Sequence, residues 1–320
     1  MRKVILLYNP LSGRRRGRPL PDVEAALAVL RSAGVEASAA PTRAASDATD
    51  QTKQAIAEGC DAVFACGGDG TVQDVLQGLV GTSTALGVIP LGTANCLAHD
   101  LRLPFSPAEA ARAALTGKRR RIAVGRIEYQ DFAGKRAMRY FTVTVGIGVD
   151  AHLFYNLDPL AKRRFGMVAY VAKATRLWLT HKMENFAVEV GEEGQTRSEV
   201  SQLLAVRIRH FGGVLRELAP GASLDRNDLR LVLFQTHSRW AYLRYILRGL
   251  FGTNWDVPGI ELLDSPVAVC RNGASSNGSG KKSRIFVEAD GELLGTLPAE
   301  VSMVRDAVTL LGPSHGCAQR

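Results

Sequence analysis

The chain has 320 residues, room for two domains of ordinary size, and its 46% hydrophobic and 22% charged content excludes a disordered or fibrous protein. A formal charge of +9 favours anionic partners: phosphorylated small molecules, nucleic acid or an acidic membrane surface. The five cysteines (Cys60, Cys66, Cys96, Cys270, Cys317) are odd in number and lack metal-ligand spacing, and no apolar run can cross a bilayer, so a soluble cytoplasmic protein with reduced thiols is expected.

In chain order, Lys3 to Tyr8 reads as a short apolar strand, too short for a secretory leader. Asn9-Pro10-Leu11-Ser12-Gly13 breaks it, and Arg14, Arg15, Arg16 and Arg18 follow. Such a loop is either a phosphate-binding edge or a solvated basic turn. Pro21 opens a helix whose Val23, Ala26, Leu27 and Leu30 share a face, and Gly34 closes it. Val35 to Ala40 is a second strand with Thr42 just beyond it, and a helix from Asp47 to Glu58 ends at Gly59.

Ala62 to Cys66 is a buried strand, followed by a turn of Gly67, Gly68, Asp69, Gly70 and Thr71 and a helix with Val72, Val75, Leu76 and Leu79 on one face. Glycines allow close backbone approach to a ligand, and the helix aims free N–H groups and its positive dipole end at it, a combination suited to phosphate. Asp69 is the odd residue, because a bare carboxylate repels phosphate. Either a Mg²⁺ intervenes, or Asp69 fixes the loop's own N–H groups, or the whole is a tight strand-to-helix turn. Ala85 to Pro90 is the fourth strand; it leads into Leu91-Gly92-Thr93-Ala94-Asn95, with Asn95 expected to cap a helix from Cys96 to Leu101. Ser106-Pro107-Ala108-Glu109 starts a helix that stops at Gly117. This alternation predicts a parallel sheet with helices on both faces, and ligands bind such sheets beyond the carboxyl ends of the strands. Asn9 to Gly13, Thr42, Gly67 to Thr71 and Leu91 to Asn95 all fall at that edge.

After Lys118-Arg119-Arg120-Arg121 the rhythm changes. Ile122 to Tyr129 and Arg139 to Val145 flank a hairpin turn at Asp131 to Lys135. Strand-like runs follow at Phe186 to Val190, Val200 to Ile208, Leu229 to Thr236, Val267 to Arg271 and Ile285 to Ala289, a mostly antiparallel second domain. Val168 to His181, after the basic Lys162-Arg163-Arg164, and Trp240 to Phe251 read as helices. The latter mixes aromatics with Arg244 and Arg248: it either packs on its own domain or lies on an anionic membrane. Asn272 to Lys282 is a Gly/Ser/Asn-rich loop, and the chain is expected to fray from His315. Glu288-Ala289-Asp290-Gly291-Glu292 is a strong hairpin signal, and alternatively places Asp290 or Glu292 as a general base.

Taken together, Asn9-Pro10-x-Ser12-Gly13, Gly67-Gly68-Asp69-Gly70-Thr71, Pro90-Leu91-Gly92-Thr93-x-Asn95 and Asp290-Gly291-Glu292 resemble the diacylglycerol kinase catalytic-domain family, which includes bacterial lipid kinases, sphingosine kinases and ceramide kinases. Gly146-x-Gly148-x-Asp150-Ala151, Gly212-Gly213 and Ala219-Pro220-x-Ala222 add to the likeness. The resemblance implies an α/β + β fold: an N-terminal three-layer α/β nucleotide-binding domain, NAD kinase-like, over residues 1–122 with a returning segment 304–313, and a C-terminal antiparallel β-sandwich lipid-substrate domain over 123–303. Residues 314–320 are the tail. It implies an active site between the domains, ATP on Asn9, Pro10, Ser12, Gly13, Thr42, Gly67, Gly68, Asp69, Gly70, Thr71, Gly92, Thr93 and Asn95, Mg²⁺ carried by the nucleotide at Asp69, and a lipid hydroxyl deprotonated by Asp290 with Glu292.

Two positions depart from the bacterial pattern. Cys96 stands where an Asp is usual, and Arg226-Asn227 fall where an Asp-Gly pair is usual, so a metal and water network at those acids is not expected; Arg226 is expected to satisfy Asp69 in its place. The reading is an ATP-dependent lipid kinase, with diacylglycerol or a sphingoid or ceramide-like lipid as acceptor. It would work as a peripheral protein on the inner face of the membrane, with a homodimer left open and no nucleic-acid module. The alternatives are an NAD kinase-like small-molecule kinase and a non-catalytic nucleotide- or lipid-binding homologue.

Overall fold

The structure is a computed structural model that describes residues 1–10, 19–43, 47–149, 151, 183–191, 196–212, 217–251, 256–273 and 284–313. Ser12, Gly13, the arginines at 14–18, Asp150, the segment 152–182 with its expected helix, Gly213, most of the 272–282 loop and the tail lie outside the described residues. The chain divides into two compact units: Met1–Val124 with His210–Leu215 and Val304–Arg320, and Gly125–Arg209 with Arg216–Met303.

In the first unit, strands β1 (Lys3–Tyr8), β2 (Glu36–Pro41), β3 (Ala62–Gly67) and β4 (Ala85–Pro90) alternate with helices α1 (Leu20–Ser32), α2 (Asp47–Ala57) and α3 (Asp69–Leu79); α4 (Cys96–Asp100) and α5 (Pro107–Thr116) follow. The end of β15 (Glu292–Gly312), the last strand among the described residues, joins them through Thr309 and Leu310 beside Ala85 and Leu86, giving the parallel order β15-β4-β3-β1-β2. Every residue of β3 and β4 is buried, as a central parallel strand covered on both faces requires. One face packs Phe64, Cys66 and Ile89 against Val23, Leu27 and Leu30 of α1 and Ala110, Ala111 and Ala114 of α5. The alternate residues Val63, Ala65, Leu86 and Val88 point the other way. There α3 supplies Val72, Val75, Leu76 and Leu79, backed by α2, whose Thr49 hydroxyl donates to the Asp74 carbonyl at 2.7 Å.

Two expected caps are corrected. Asn95 does precede α4, but at φ 50° its side chain makes no capping bond, and Ser106 is extended and likewise does not cap α5, which Pro107 opens alone. Helix α3 also starts earlier than its apolar stripe predicted, at Asp69, so the glycine turn is shorter.

The second unit is antiparallel. It contains the end of β5 (Lys118–Gln130) from Gly125 onward, then β6 (Arg136–Phe141), β7 (Thr144–Gly148), β8 (Phe186–Val190), β9 (Thr196–Val200), β10 (Gln202–Val206), β11 (Leu229–Phe234), helix α6 (Arg239–Phe251), β12 (Ile260–Ser265), β13 (Val267–Asn272) and β14 (Phe286–Ala289). One sheet runs β12-β11-β10-β7-β14-β15, and β15 then pairs with β13, beside β8 and β9. Val145, Ile147, Leu203, Leu231 and Val287 of the first sheet share a core with Phe186, Val188, Ala268, Cys270 and Val301 of the second, a β-sandwich. The expected Val200–Ile208 strand is divided at Ser201, whose hydroxyl lies 2.5 Å from the Thr236 carbonyl and 2.8 Å from the Tyr242 hydroxyl. The basic run Lys118 to Arg121, expected as a boundary, is the start of β5, where the Arg121 guanidinium donates to the Thr82 carbonyl at 2.8 Å. Among the described residues no helix is long and apolar enough to cross a membrane.

Candidate functional site

The candidate residues fall into one group in each unit. In the first, the strand register sets Tyr8 beside both Pro41 and Cys66, and Gly67 beside Pro90, so the chain leaves β1, β2, β3 and β4 at one edge of the sheet. Asn9 and Thr42 stay on that edge through N–H bonds to the carbonyls of Cys66 (3.3 Å) and Tyr8 (2.8 Å). The loops after β3 and β4 are stitched together, because the Leu91 and Gly92 N–H groups both donate to the Gly67 carbonyl, at 2.9 and 3.1 Å. Asn95, in the left-handed region, folds its amide back: Oδ1 accepts from the Gly92 N–H at 3.0 Å and Nδ2 donates to the Gly92 carbonyl at 2.7 Å.

Glycine is needed where these loops touch. A Cβ on Gly92 would stand 2.3 Å from the Gly68 Cα, a backbone atom that cannot swing aside, whereas a Cβ on Gly68 would meet the Gly92 Cα at 3.3 Å. Gly92→Ala is therefore expected to lower stability by about 1–3 kcal/mol and to weaken nucleotide binding, with Gly68→Ala the milder change. Melting curves and nucleotide titrations of the two variants check the order.

Asp69 opens α3, and its Oδ1 accepts the Cys96 N–H at 2.7 Å, so the carboxylate fastens the neighbouring loop. The Asp69 and Gly70 N–H groups that open α3 lie at the same edge, that of Thr71 donating to the Gly68 carbonyl at 3.0 Å. Arg226, expected near Asp69, instead pairs with Asp228 (2.6 Å) and Asp264 (3.0 Å), so its charge is already matched within the second unit. The hydrogen bond to Asp228 holds the guanidinium pKa above its usual value and the Asp228 carboxyl below the usual carboxylate range.

Mg²⁺ is ordinarily held by one or two carboxylates together with substrate phosphates. Among the described residues no group of three or more His, Cys, Asp or Glu side chains could hold a metal, and Asp69 has one oxygen engaged by Cys96. These residues fit a cation arriving on a nucleotide's phosphates, with Asp69 contributing a carboxylate, rather than a cage built by the protein.

In the second unit, Asp290 (φ 49°) and Gly291 (φ 82°) form the turn between β14 and β15. Two successive positive φ values mark the tight hairpin geometry that Asp-Gly favours. Yet the side chains do more than turn the chain. Asp290 Oδ1 accepts the N–H groups of Val143 and Thr144, both at 2.9 Å, and Oδ2 accepts that of Thr142 at 3.0 Å. Its own N–H donates to the Thr144 carbonyl at 2.9 Å, which extends the β14–β7 pairing through the turn. Glu292 pairs with Arg139 at 2.7 Å and is partly exposed, while Glu288 is buried and its Oε2 accepts the Gly291 N–H at 3.0 Å.

Sequence reasoning passed over Arg139, Glu288 and, above all, Arg207. Arg207 is fully buried, and its guanidinium donates to the carbonyls of Arg226 (2.9 Å), Asp228 (2.8 Å), Leu224 (3.2 Å) and Ser223 (3.4 Å). A lone charged residue inside the apolar run Leu203 to Ile208 was the available signal.

Comparison with known proteins also finds two parts, the second of which includes the 304–312 segment of the first unit. The model of the diacylglycerol kinase catalytic domain matches residues 3–127, and that of the YegS C-terminal NAD kinase beta sandwich-like domain matches residues 143–312. The chain is 31% identical over 315 residues to a diacylglycerol kinase of Mycobacterium tuberculosis (strain ATCC 25618 / H37Rv), covering 98% of this chain and 96% of that protein. It is 28% identical over 303 residues to a diacylglycerol kinase of Bacillus subtilis (strain 168), covering 94% and 93%. A solved diacylglycerol kinase structure from Bacillus anthracis str. Sterne superimposes with a TM-score of 0.70 at 20% identity, over 97% of this chain and 96% of that one, a likeness of fold.

Proposed function

The chain belongs to the diacylglycerol kinase catalytic-domain family and is a lipid kinase, and from that premise we propose that it transfers the γ-phosphate of ATP to a lipid hydroxyl. The observation that carries this reading is the pair of interlocked glycine loops at the carboxyl edge of β3 and β4, where Gly68 and Gly92 bring bare backbone together beside the start of α3. Phosphoryl transfer needs charge neutralisation, alignment and a base for the acceptor, with little covalent work by the protein.

In this reading Asn9, Thr42, Gly67 to Thr71 and Gly92 to Asn95 receive the nucleotide, as do Pro10, Ser12 and Gly13 of the first loop. Arg14 to Arg16 add positive charge beside the phosphates. Mg²⁺ bound with ATP would supply charge neutralisation, with Asp69 as its protein carboxylate. Asp290 takes the proton of the acceptor hydroxyl, and Glu292, oriented by Arg139, positions that hydroxyl. The acceptor is diacylglycerol or a sphingoid or ceramide-like lipid, met by a peripheral protein at an anionic membrane.

Incubation of the protein with γ-labelled ATP and Mg²⁺, in parallel with a total lipid extract and with NAD, with products read by mass, tests the proposal. A phosphorylated lipid is expected and none from NAD. Phosphorylation of NAD alone would make the protein an NAD kinase-like enzyme, and ATP binding with no labelled product would make it a non-catalytic homologue.

A further inference from the structure

Of the large hydrophobic side chains exposed among the described residues, Trp240 (76%), Ile246 (45%) and Phe251 (67%) lie on the single helix α6, and only Leu20, Phe132 and Met138 lie elsewhere. The helix is turned the opposite way from an ordinary surface helix, which faces its apolar stripe to the core. Its inward face carries the tyrosines. Tyr242 is buried with its hydroxyl 2.8 Å from Ser201 Oγ, and Tyr245 is buried with its hydroxyl donating to the Leu218 carbonyl at 2.6 Å. Both rings pack on Phe234, with centroids 4.5 and 5.2 Å away, and the guanidinium of the buried Arg248 lies 5.4 Å from the Tyr245 ring centroid. These contacts anchor α6 by its polar-tipped side.

The exposed Trp240 and Phe251 share one outward face at helical spacing, with the half-buried Leu243 and Leu247 between them and Arg244 exposed beside them. Arg244 is the exposed charge of this face, Arg248 being buried on the inward side, and the helix contains no acid. Trp240 and Phe251 are separated by about 16 Å along the axis, so the apolar stripe extends along the helix side rather than sitting at one tip. A second copy of the same face would set arginine against arginine, whereas an anionic bilayer supplies both the apolar layer and the opposite charge.

We propose that α6 is the element by which this protein lies on an anionic lipid bilayer, with Trp240 and Phe251 entering the boundary between headgroups and acyl chains and Arg244 meeting the phosphates. The choice of a bilayer rests on the lipid-kinase reading; the exposed stripe does not. Co-sedimentation of the full chain with phosphatidylglycerol vesicles and with phosphatidylcholine vesicles tests it, using Trp240→Ser/Phe251→Ser and Arg244→Glu. The wild-type protein is expected to pellet with the anionic vesicles. The double variant should bind at least about tenfold more weakly, and Arg244→Glu about thirtyfold more weakly at low salt. Both should keep their melting temperatures and their phosphorylation of a short-chain, water-soluble lipid. Binding by the double variant at the wild-type level would overturn the proposal. So would a shift of the double variant from dimer to monomer with vesicle binding unchanged, which would identify a second copy as the occupant. Loss of vesicle binding in a protein whose wild type phosphorylates no lipid would uphold the surface and sink only the kinase reading.

Discussion

Asp290→Asn is expected to lower turnover by about two to four powers of ten while the protein remains folded. The carboxylate is held in place by the N–H groups of Thr142, Val143 and Thr144. Such a base is fixed in orientation before substrate arrives, which removes part of the ordering cost from the reaction itself. Asparagine is the informative replacement because it tolerates the left-handed backbone that residue 290 adopts (φ 49°), which alanine does not. It keeps one oxygen for Val143 and Thr144 but turns an amide N–H toward that of Thr142, a loss of about 1–3 kcal/mol in stability. The two consequences separate by experiment: kcat per folded molecule reports the base, and the melting temperature reports the clamp. A variant that melts early but turns over at the wild-type rate when folded would make Asp290 a turn residue alone. In that outcome Glu292→Gln, otherwise expected to be the milder variant, should show the larger loss, because Glu292 is the other acid of the turn and Arg139 already orients it.

The reach of sequence reasoning differs between the two units for a physical reason. In the first, each strand is a short apolar run ended by glycine or proline, and local chemistry and tertiary burial agree at Ala62–Gly67 and Ala85–Pro90. The glycine loops were legible too, because close backbone contact admits no substitute for glycine. Which atoms fasten those loops was not. Asn95 obeys the helix-cap rule by its position, yet its positive φ sends the amide back to Gly92, and Asp69 spends an oxygen on a residue 27 positions away. In the second unit, β12 escaped notice because its Glu261 and Asp264 interrupt the apolar pattern; Asp264 is there to receive Arg226 and Arg230. The strand β15 was hidden for another reason. It pairs in turn with β14, β13 and β4, so no single alternation runs through it, and Pro298 and Asp306 break the pattern where the partner changes.

Arg207 is where a pairwise reading of charges fails most, and its removal is expected to have the largest effect on stability. Arg207→Met should destabilise the protein by about 3–5 kcal/mol, or roughly 10 °C in melting temperature. The side chain is fully buried, and its guanidinium gathers the carbonyls of Ser223, Leu224, Arg226 and Asp228 into one cluster. Methionine fills much of the same volume but donates nothing, so the carbonyls of Leu224, Arg226 and Asp228 lose this donor together, while that of Ser223 keeps the Arg226 N–H at 3.2 Å. Each buried carbonyl left unpaired costs about 1–3 kcal/mol, and the expected total is smaller than their sum because the loop can relax and admit water. The loop carries Arg226 and Asp228 into their ion pair and leads directly into β11, so its loosening should reach the sandwich core. Lysine should recover part of the loss, since one ammonium donates in three directions but lacks the planar reach of a guanidinium. Acid should expose the same device. Asp228 has its folded pKa lowered chiefly by Arg226 and to a lesser degree by Arg207. The resulting stabilisation is complete above the ordinary aspartate value of about 3.9 and disappears as pH falls through the lowered folded value. Melting curves of wild type, Arg207→Met and Arg207→Lys from neutral pH into acid would test this. A methionine variant within about 0.5 kcal/mol of wild type would mean that water serves the carbonyls as well as the arginine does.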